Sequence, residues 1–386
     1  MSVLSFSFYI AMKEVWRNRG RFFLLSLVIA LITLLVLFIA ALGEGLANGN
    51  RQYIANLDAQ LIVFREKSDT IIPSSRLDNS TLRAVRRVSG VASAGPIYTA
   101  SSEIVSTSKP IKISLLGADP DFPGMPAVVK GTSFRGGDSN EVVIDRNLSM
   151  RSGLGIGDKI ELRSTQGPED KFSELIVVGL TEGQSYLFQP TIFVAPPTWE
   201  RIRPQSEADL RDENLYPNII AVRLEEPGQV ESMQARLVSE VPKIQVADIP
   251  TTINNVPGYS AQQATVQTQG FFTLLIGILV IGGFFQIQVL QKVSQIGVLK
   301  AIGSSNAAVG GAAVIQIIVV TAMGVGLGTL LTFLFSLGFP PTVPLAFNGA
   351  SAALSVLALM LIGPVGGLVS VLYAVRIEPL RALRLQ

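Results

Sequence analysis

Residues 22–43 read FFLLSLVIALITLLVLFIAALG and contain no charged side chain. A helix of about 20 apolar residues is long enough to cross the hydrocarbon core of a bilayer. Three more uncharged apolar stretches of this kind follow at 270–290, 310–339 and 350–375. A soluble fold would need charged residues on the outer faces of such helices. The sequence therefore predicts a membrane protein with four transmembrane α-helices.

The charges outside these stretches indicate how the chain is oriented. Outside segment 44–268 the only acidic residues are Glu14 and Glu378. The basic residues there flank the predicted spans: Lys13, Arg17, Arg19, Arg21, Lys292, Lys300, Arg376, Arg381 and Arg384. Because basic flanks remain in the cytoplasm, we expect both termini and the loop after the second span inside. Orientation accounts for these basic residues, so we expect no nucleic-acid partner.

Segment 44–268 is then predicted to be a large extracytoplasmic domain between helices 1 and 2. Strand-like runs such as Glu141–Asp145 and Lys159–Arg163 are separated by Gly and Pro turns, and Gln229–Val241 has a helical pattern. The segment is long enough to have a hydrophobic core of its own. This combination is typical of an α+β domain.

The remaining segments complete the predicted organisation. We expect an amphipathic helix at the cytoplasmic surface at 1–21 and the four spans at 22–43, 269–290, 307–338 and 350–375. The α+β domain then comprises 44–268, a short cytoplasmic helix 291–306 and a cytoplasmic tail 376–386. A plain basic flank is the alternative for the first segment. The first apolar run is longer than the core of a typical signal peptide, which favours an uncleaved span in the plasma membrane.

Small residues in the last two spans predict how these helices pack. Gly324, Gly326 and Gly328 lie in the third span, where small residues let membrane helices approach closely. The Gly363–Pro364 pair predicts a kink in the fourth span. Close helix contacts and one bend are therefore expected in the membrane.

The composition excludes several kinds of chemistry. The chain has no Cys and no His, so Ser–His triads, zinc sites, Cys nucleophiles and disulfides are excluded. No Gly-x-x-x-x-Gly-Lys-Ser/Thr motif is present, so ATP cannot be bound through a P-loop of this chain. The spans hold no paired carboxylates for acid–base work. An enzyme embedded in the membrane is therefore disfavoured.

The segment after the second span carries an unexpected apolar pattern. Val293, Ile296, Leu299 and Ile302 recur every three residues, and Gly303 is placed to end a helix. A segment that only connected two spans would need no apolar face. The pattern predicts a short cytoplasmic helix that meets a partner groove or the membrane itself.

The run Gln295–Gly303, QIGVLKAIG, resembles the hallmark of the MacB/FtsX superfamily of ABC-transporter permeases. Segments 141–160 and 374–384 resemble the superfamily's extracytoplasmic core domain and its closing motif. The resemblance implies that the short helix is a coupling helix that docks on a separate ATPase through Val293, Ile296, Gly297, Leu299, Lys300, Ile302 and Gly303. One departure is Gln295, where the superfamily often has an acid.

The resemblance also implies the partners and the mechanism. Permeases of this superfamily work as homodimers with two copies of a cytoplasmic ATPase, which binds ATP and Mg. Movements of the coupling helices reach the outer domain through the first two spans, a process called mechanotransmission. This chain would then need no cofactor of its own.

The segment 13–46 is similar to the first span of heme-efflux permeases of the HrtB type. That similarity implies heme as a substrate and makes Glu44, Met323 and Met360 candidate substrate-binding residues, because Met and carboxylates are the remaining ligand types near the spans. Glu44 could instead mark the water boundary, and the two Met could simply pack. The lack of His and Cys argues against tight heme binding.

Three functions therefore stay open from the sequence. The first is export of a hydrophobic or amphipathic molecule such as heme, a lipid or an antibiotic. The second is mechanical regulation of a cell-envelope enzyme without transport. The third is extraction of a lipoprotein or glycolipid together with a periplasmic adaptor. The length of segment 44–268 favours export over the regulator class, which typically has a smaller outer domain.

Overall fold

The computed structural model describes residues 3–107, 109–207, 209, 214–339 and 345–377. These residues form two compact units. The membrane unit comprises residues up to Gly45 and from Gln263 onward, and the domain unit comprises Leu46–Gln262. The closing motif predicted at 374–384 extends beyond the described residues after 377.

The helices are α1 (Val3–Arg17), α2 (Arg19–Ala55), α3 (Asn79–Val85), α4 (Arg146–Ser152), α5 (Pro196–Ile202), α6 (Val230–Glu240), α7 (Ile249–Asn254), α8 (Tyr259–Gln291), α9 (Val293–Ala301), α10 (Asn306–Gly338) and α11 (Gly349–Arg376). The strands are β1 (Leu61–Arg65), β2 (Val91–Ile104), β3 (Ile111–Ala118), β4 (Val128–Gly131), β5 (Glu141–Asp145), β6 (Lys159–Gln166), β7 (Glu169–Thr181), β8 (Thr191–Val194), β9 (Ile219–Leu224) and β10 (Ile244–Asp248).

Four of these helices, α2, α8, α10 and α11, are long and apolar enough to cross a membrane. They coincide with the four predicted uncharged stretches, so the predicted fold class is confirmed. Helix α2 has 37 residues and continues well past Gly43. At 1.5 Å per residue it is about 55 Å long, which exceeds the roughly 30 Å of a bilayer core.

Glycines let the membrane helices approach each other closely. A Cβ added to Gly324 of α10 would lie 2.5 Å from the Cβ of Ile29 in α2, and one on Gly328 would lie 2.5 Å from the Cβ of Thr33. The predicted close packing is therefore confirmed at these two positions. At Gly326 nothing lies within 4 Å of an added Cβ. Pro364 lies inside α11, which continues through it.

The domain unit is built around one ten-stranded mixed sheet. Its main path runs β10-β1-β9-β2-β3-β8-β5-β7-β4, and β6 pairs with both β2 and β7. Helices α3 and α6 contribute Val85, Met233 and Leu237 to the buried cluster over the β1–β9 part of the sheet. The strand-like runs predicted from the sequence, including Glu141–Asp145 and Lys159–Arg163, are strands of this sheet, but the longest strand found here, β2, was not predicted.

The outer end of α2 belongs to the core of the domain unit. Tyr53 and Ile54 are fully buried in its hydrophobic cluster, and the Tyr53 hydroxyl donates to the carbonyl oxygen of Gly124 at 2.8 Å. Arg51 donates to the hydroxyl of Tyr259, the first residue of α8, at 2.9 Å. Both long helices that bound the domain in sequence are therefore held at their outer ends by its core.

Candidate functional site

Helix α9 occupies the connection between the second and third spans, where the sequence predicts a short helix. It starts directly after Lys292, and Gly303 follows its C-terminal end at φ +102. The amide of Ser304 donates to the carbonyl oxygen of Leu299 at 3.1 Å, which closes the last turn. Glycine adopts this left-handed conformation without steric cost, so it ends the helix as expected.

The apolar stripe of α9 faces mostly inward. A buried cluster at the ends of the spans consists of Val289, Val309, Ala374 and Ile377. Three residues of α9 pack against it, namely Val293, Ile296 and Leu299. Docking of these three residues on a partner stays a prediction. Within this chain their side chains cover the adjoining ends of α8, α10 and α11.

The outward side of α9 is instead formed by a second set of residues. Ile302 is 81% exposed and Val298 is 40% exposed, and Gln295 is also exposed. These three positions have the spacing i, i+3 and i+7, which places them on one helical face. Gly297 is buried. Of the predicted coupling residues, Ile302 is thus the one whose large apolar side chain is available to a partner.

The ammonium group of Lys300 is held within the membrane unit. Its ammonium group donates to the carbonyl oxygens of Val375 at 2.6 Å and Ile377 at 3.0 Å. A cation at the C-terminal end of a helix satisfies its last carbonyls and favours its dipole. Lys300 therefore fastens α9 to the end of α11.

A buried ionic group joins α1 to the start of α9. Lys292 forms an ion pair with Glu14, and the side-chain amide of Gln316 in α10 donates to the same carboxylate. The ion pair is mostly buried, with 16% of the Lys292 side chain and 19% of the Glu14 side chain exposed. Burial lowers the pKa of Lys292 to about 8 because it disfavours the charged form. Removing one partner would leave the other charge unpaired.

Helix α1 also packs along α10. Ala11 is fully buried, and Ser7 donates to the carbonyl oxygen of Ala308 at 3.1 Å. Tyr9 and Trp16 remain 55% and 77% exposed, as expected for an amphipathic helix at a membrane surface. Helix α1 is therefore amphipathic, and one of its sides is fixed to the bundle.

Two of the candidate substrate residues lie far apart. Glu44 is half-buried near the outer end of the membrane unit's part of α2. Met323 is 44% exposed and precedes Gly324, which meets Ile29 of α2. Glu44 follows Ile29 by fifteen residues, which is about 22 Å along a helix. These two side chains therefore cannot ligate the same iron.

The third candidate, Met360, lies at nearly the same level along the helix bundle as Met323. Gly363, one turn after Met360, meets Thr321, where an added Cβ would lie 1.9 Å from Thr321 Oγ1. Met360 is 36% exposed. The structure thus leaves Glu44 apart from both methionines. Among the described residues no group of three or more His, Cys, Asp or Glu could hold a metal ion.

An aromatic recess lies closer to Glu44 than either methionine. It has a volume of about 190 Å³ and is lined by side chains from α2, from the end of α10 and from the segment before α11, namely Leu34, Phe38, Thr332, Phe335, Ser336, Phe339, Leu345 and Phe347. The rings of Phe38 and Phe339 are 5.5 Å apart, and the amide of Ala346 donates to the carbonyl oxygen of Ala41 at 3.1 Å. Sequence reasoning missed this recess, although the density of Phe between 333 and 347 was a usable signal.

The segment 141–160 of the domain unit has a structural role. Asp145 begins α4, and its carboxylate accepts from the amides of Leu148 at 2.7 Å and Gln184 at 3.2 Å. Gly153 ends α4 at φ +77. Burial raises the pKa of Asp145 to about 6, although its backbone hydrogen bonds act in the opposite direction. This part of the resemblance therefore reflects a helix with its two caps.

Two family models match this chain. The one described as MacB-like periplasmic core domain matches residues 22–240, which is more than half of the chain, and the one described as FtsX-like permease C-terminal matches 269–379.

Similar proteins include a Staphylococcus haemolyticus (strain JCSC1435) protein provisionally named hemin transport system permease protein HrtB. It is 22% identical over 380 residues, which cover 97% of this chain and 98% of that protein. An uncharacterized ABC transporter permease of Mycobacterium tuberculosis (strain ATCC 25618 / H37Rv) is 24% identical over 363 residues, covering 91% of this chain and 93% of that protein.

Among solved structures, the extracellular domain of YknZ, a noncanonic ABC-type transporter from Gram-positive bacteria, is similar at 13% identity and a TM-score of 0.36. The match covers 49% of this chain and 99% of that domain. The periplasmic region of MacB from Actinobacillus actinomycetemcomitans is similar at 14% identity and a TM-score of 0.35, with 55% of this chain and 97% of that region covered.

Proposed function

This chain belongs to the MacB/FtsX family of ABC transporter permeases, and we propose that it is the membrane subunit of an exporter driven by a separate cytoplasmic ATPase. The exposed face of α9 carries this proposal. A permease chain without a P-loop needs another chain to bind ATP, and Ile302 offers that chain an apolar contact beside a span. The permease acts as a homodimer in the plasma membrane, with both termini in the cytoplasm.

The fastening of α9 supports a mechanical role. Lys300 joins it to the end of α11, and the ion pair of Lys292 with Glu14 joins its start to α1. A force applied at Ile302 is therefore transmitted to the helix bundle, because both ends of α9 are fixed to it. Helices α2 and α8 are continuous between the membrane and the core of the domain unit, so they transmit the movement outward.

The substrate that we propose is heme or a similar flat, hydrophobic anion taken from the outer leaflet. The name of the staphylococcal relatives supports heme. The aromatic recess beside Phe38 and Phe339 offers stacking surfaces, and Glu44 lies farther out on the same helix. Because this chain has no His or Cys, heme would be held weakly, as an exporter requires for release.

The coupling part is tested by reconstitution of the permease with its cognate ATPase. We expect Ile302→Asp to lower the permease-stimulated ATPase rate to the rate of the ATPase alone, because a charge is placed in the apolar contact. Ala307→Asp, an equal charge at an exposed position in the first turn of α10, is the matched control and should leave the rate unchanged. Normal stimulation by Ile302→Asp would refute docking through this face.

The substrate part is tested by hemin titration of the permease in lipid nanodiscs, followed by the Soret band. We expect saturable hemin binding whose affinity falls by about tenfold in Phe335→Ala and also falls in Glu44→Gln. Met323→Leu is the control, since the methionine lies about four turns from Glu44 and should not matter. Absence of a saturable Soret change would exclude heme and direct attention to lipids and antibiotics.

A further inference from the structure

A cavity of about 430 Å³ lies within the membrane unit, on the side of α9. It is enclosed by α1, α8, α9, α10 and α11, and its floor is apolar, with Phe285, Ile317 and Val371 among the lining residues. Sites for small organic molecules occupy about 300–1,000 Å³. The cavity is therefore large enough for part of an organic ligand. It shares Gln295 with the exposed side of α9 and shares no lining residue with the aromatic recess.

The rim of the cavity is basic. Lys13 and Arg17 line it from one side of α1, four residues apart, and both are exposed. Within the described part of the chain neither cation forms an ion pair with a carboxylate, whereas the adjacent Glu14 is already paired with Lys292. The rim therefore carries positive charge that is not neutralised by the described residues.

The wall of the cavity contains an unsatisfied donor. Gln288 of α8 is 4% exposed, and its side-chain nitrogen has no hydrogen-bond partner among the described residues. A buried amide without a partner costs free energy, so such groups are usually satisfied by water or a ligand. An ester, phosphate or carboxylate oxygen in the cavity would accept from this nitrogen.

We infer that this cavity binds one amphipathic anion from the cytoplasmic leaflet, with its acyl chain on the apolar floor and its anionic head beside Lys13 and Arg17. Tyr9 lines the cavity and is 55% exposed, so the mouth adjoins the surface of α1 that is suited to the membrane interface. Basic pockets at the inner ends of membrane helices commonly bind anionic headgroups. The ligand would be an anionic phospholipid or a free fatty acid, which share this chemistry.

Such a ligand would bridge the elements that carry the coupling helix. It would contact α1, whose Glu14 holds Lys292, and α9, whose Ile296 and Leu299 also line the cavity. The inference uses the cytoplasmic orientation given under the proposed function. The test of the inference measures lipid retention directly. A permease that retains the lipid but fails to stimulate the ATPase would therefore contradict the proposed function alone.

The experiment is native mass spectrometry of the purified permease released from nanodiscs with equal amounts of phosphatidylglycerol and phosphatidylcholine of matched acyl chains. We expect one retained phosphatidylglycerol per chain, with a preference over phosphatidylcholine that falls about fivefold in Arg17→Ser. Arg19→Ser removes an equal charge outside the cavity lining and should leave the preference unchanged. In a parallel arm, oleate retained in place of phosphatidylglycerol would identify a free fatty acid as the ligand.

A second pair of variants tests the cavity itself. Ala313→Leu fills part of the cavity and should reduce retention of phosphatidylglycerol and oleate together, whereas Val314→Leu, which is exposed and outside the lining, should not. Each variant must elute as folded protein in gel filtration. Equal retention of the two phospholipids by the natural chain together with no retention of oleate, or unchanged retention in both Arg17→Ser and Ala313→Leu, would overturn the inference.

Discussion

The membrane unit and the domain unit differ in the residues that their elements use to meet. In the membrane unit helices approach each other closely at glycines, such as Gly324 against Ile29 and Gly363 against Thr321. In the domain unit the core is filled by large side chains, including Phe64 and Phe193, which are fully buried. In lipid, apolar side chains gain little by leaving their surroundings, so helix association depends on small residues, whereas in water the burial of large side chains drives folding.

The two units also hold their buried carboxylates differently. Glu14 of the membrane unit is held by the cation of Lys292 and the amide of Gln316. Asp145 of the domain unit is held by backbone amides, including that of Leu148. A cation favours the charged carboxylate strongly, while burial opposes it. The two acids are therefore expected to respond differently to neutral substitution.

The glycine contacts provide the largest expected effect. Gly324→Leu would force a side chain into Ile29 and into the Ser26 carbonyl oxygen, 2.9 Å from an added Cβ, so we expect a loss of at least about 3 kcal/mol or no folded protein. Gly326→Leu, two residues away in open space, should be nearly neutral. Yield and thermal unfolding in detergent measure both, and equal behaviour of the pair would contradict packing by small residues.

The two sides of α9 give the next effect. Leu299→Asp places a charge against the cluster around Val309, so we expect destabilisation of about 3 kcal/mol. Ile302→Asp, on the exposed side, should retain the unfolding temperature of the natural chain and lose only ATPase stimulation. If both variants unfold at the natural temperature, Leu299 is not part of the bundle.

Asp145 should make the domain unit sensitive to pH in an unusual direction. Burial raises the pKa of its carboxyl in the folded state to about 6 from the ordinary value of 3.8, so the folded state keeps the proton over that interval. The contribution of Asp145 to the free energy of unfolding is complete below about pH 4. It falls by up to about 3 kcal/mol as the pH rises through 6. Asp145→Asn, which keeps a side-chain oxygen for capping, should abolish this part of the dependence.

Unfolding of the full-length permease, followed by Trp fluorescence between pH 4 and 7, measures the effect. Glu182→Gln, an exposed acid near in sequence, is the control and should keep the natural pH profile. An identical profile for Asp145→Asn and the natural chain would show that Asp145 is already ionised at pH 4.

The ion pair of the membrane unit gives the smallest expected effect. Glu14→Gln leaves the charge of Lys292 mostly buried without its partner, so we expect a loss of about 1–3 kcal/mol. The double variant Glu14→Gln with Lys292→Met should recover part of this loss, because it removes the unpaired charge. A double variant no better than Glu14→Gln would indicate that Lys292 is stabilised by other groups.

The sequence predicted the spans well and the shape of the domain less well. Uncharged runs such as 22–43 identify spans because charges are too costly in lipid. Strand β2 escaped prediction because Gly95–Pro96 resembles a turn. Gly95 is needed there because an added Cβ would lie 2.0 Å from the carbonyl oxygen of Pro123, a contact from distant sequence.

The same limit applies to the candidate site. Periodicity located α9 and its stop at Gly303, but it could not tell whether Leu299 or Ile302 faces outward. That choice depends on Val309 and Ala374, which lie on other helices. The role of Lys300 was equally hidden, because its acceptors are backbone oxygens near residue 376. Sequence patterns thus identify faces, and tertiary packing decides which face is left for a partner.

The contacts of α1 have a consequence for biogenesis. Ser7 meets Ala308 and Glu14 meets Gln316, so the partners of α1 are separated from it by about 300 residues of chain. At roughly 5–20 residues per second, a ribosome needs about 15–60 seconds to synthesise that length. During that interval the nascent helix has no α10 to pack on. Its exposed Tyr9 and Trp16 allow it to bind in the headgroup layer until α10 is made. The amphipathic character of α1 is therefore a requirement of assembly order as well as of the finished protein.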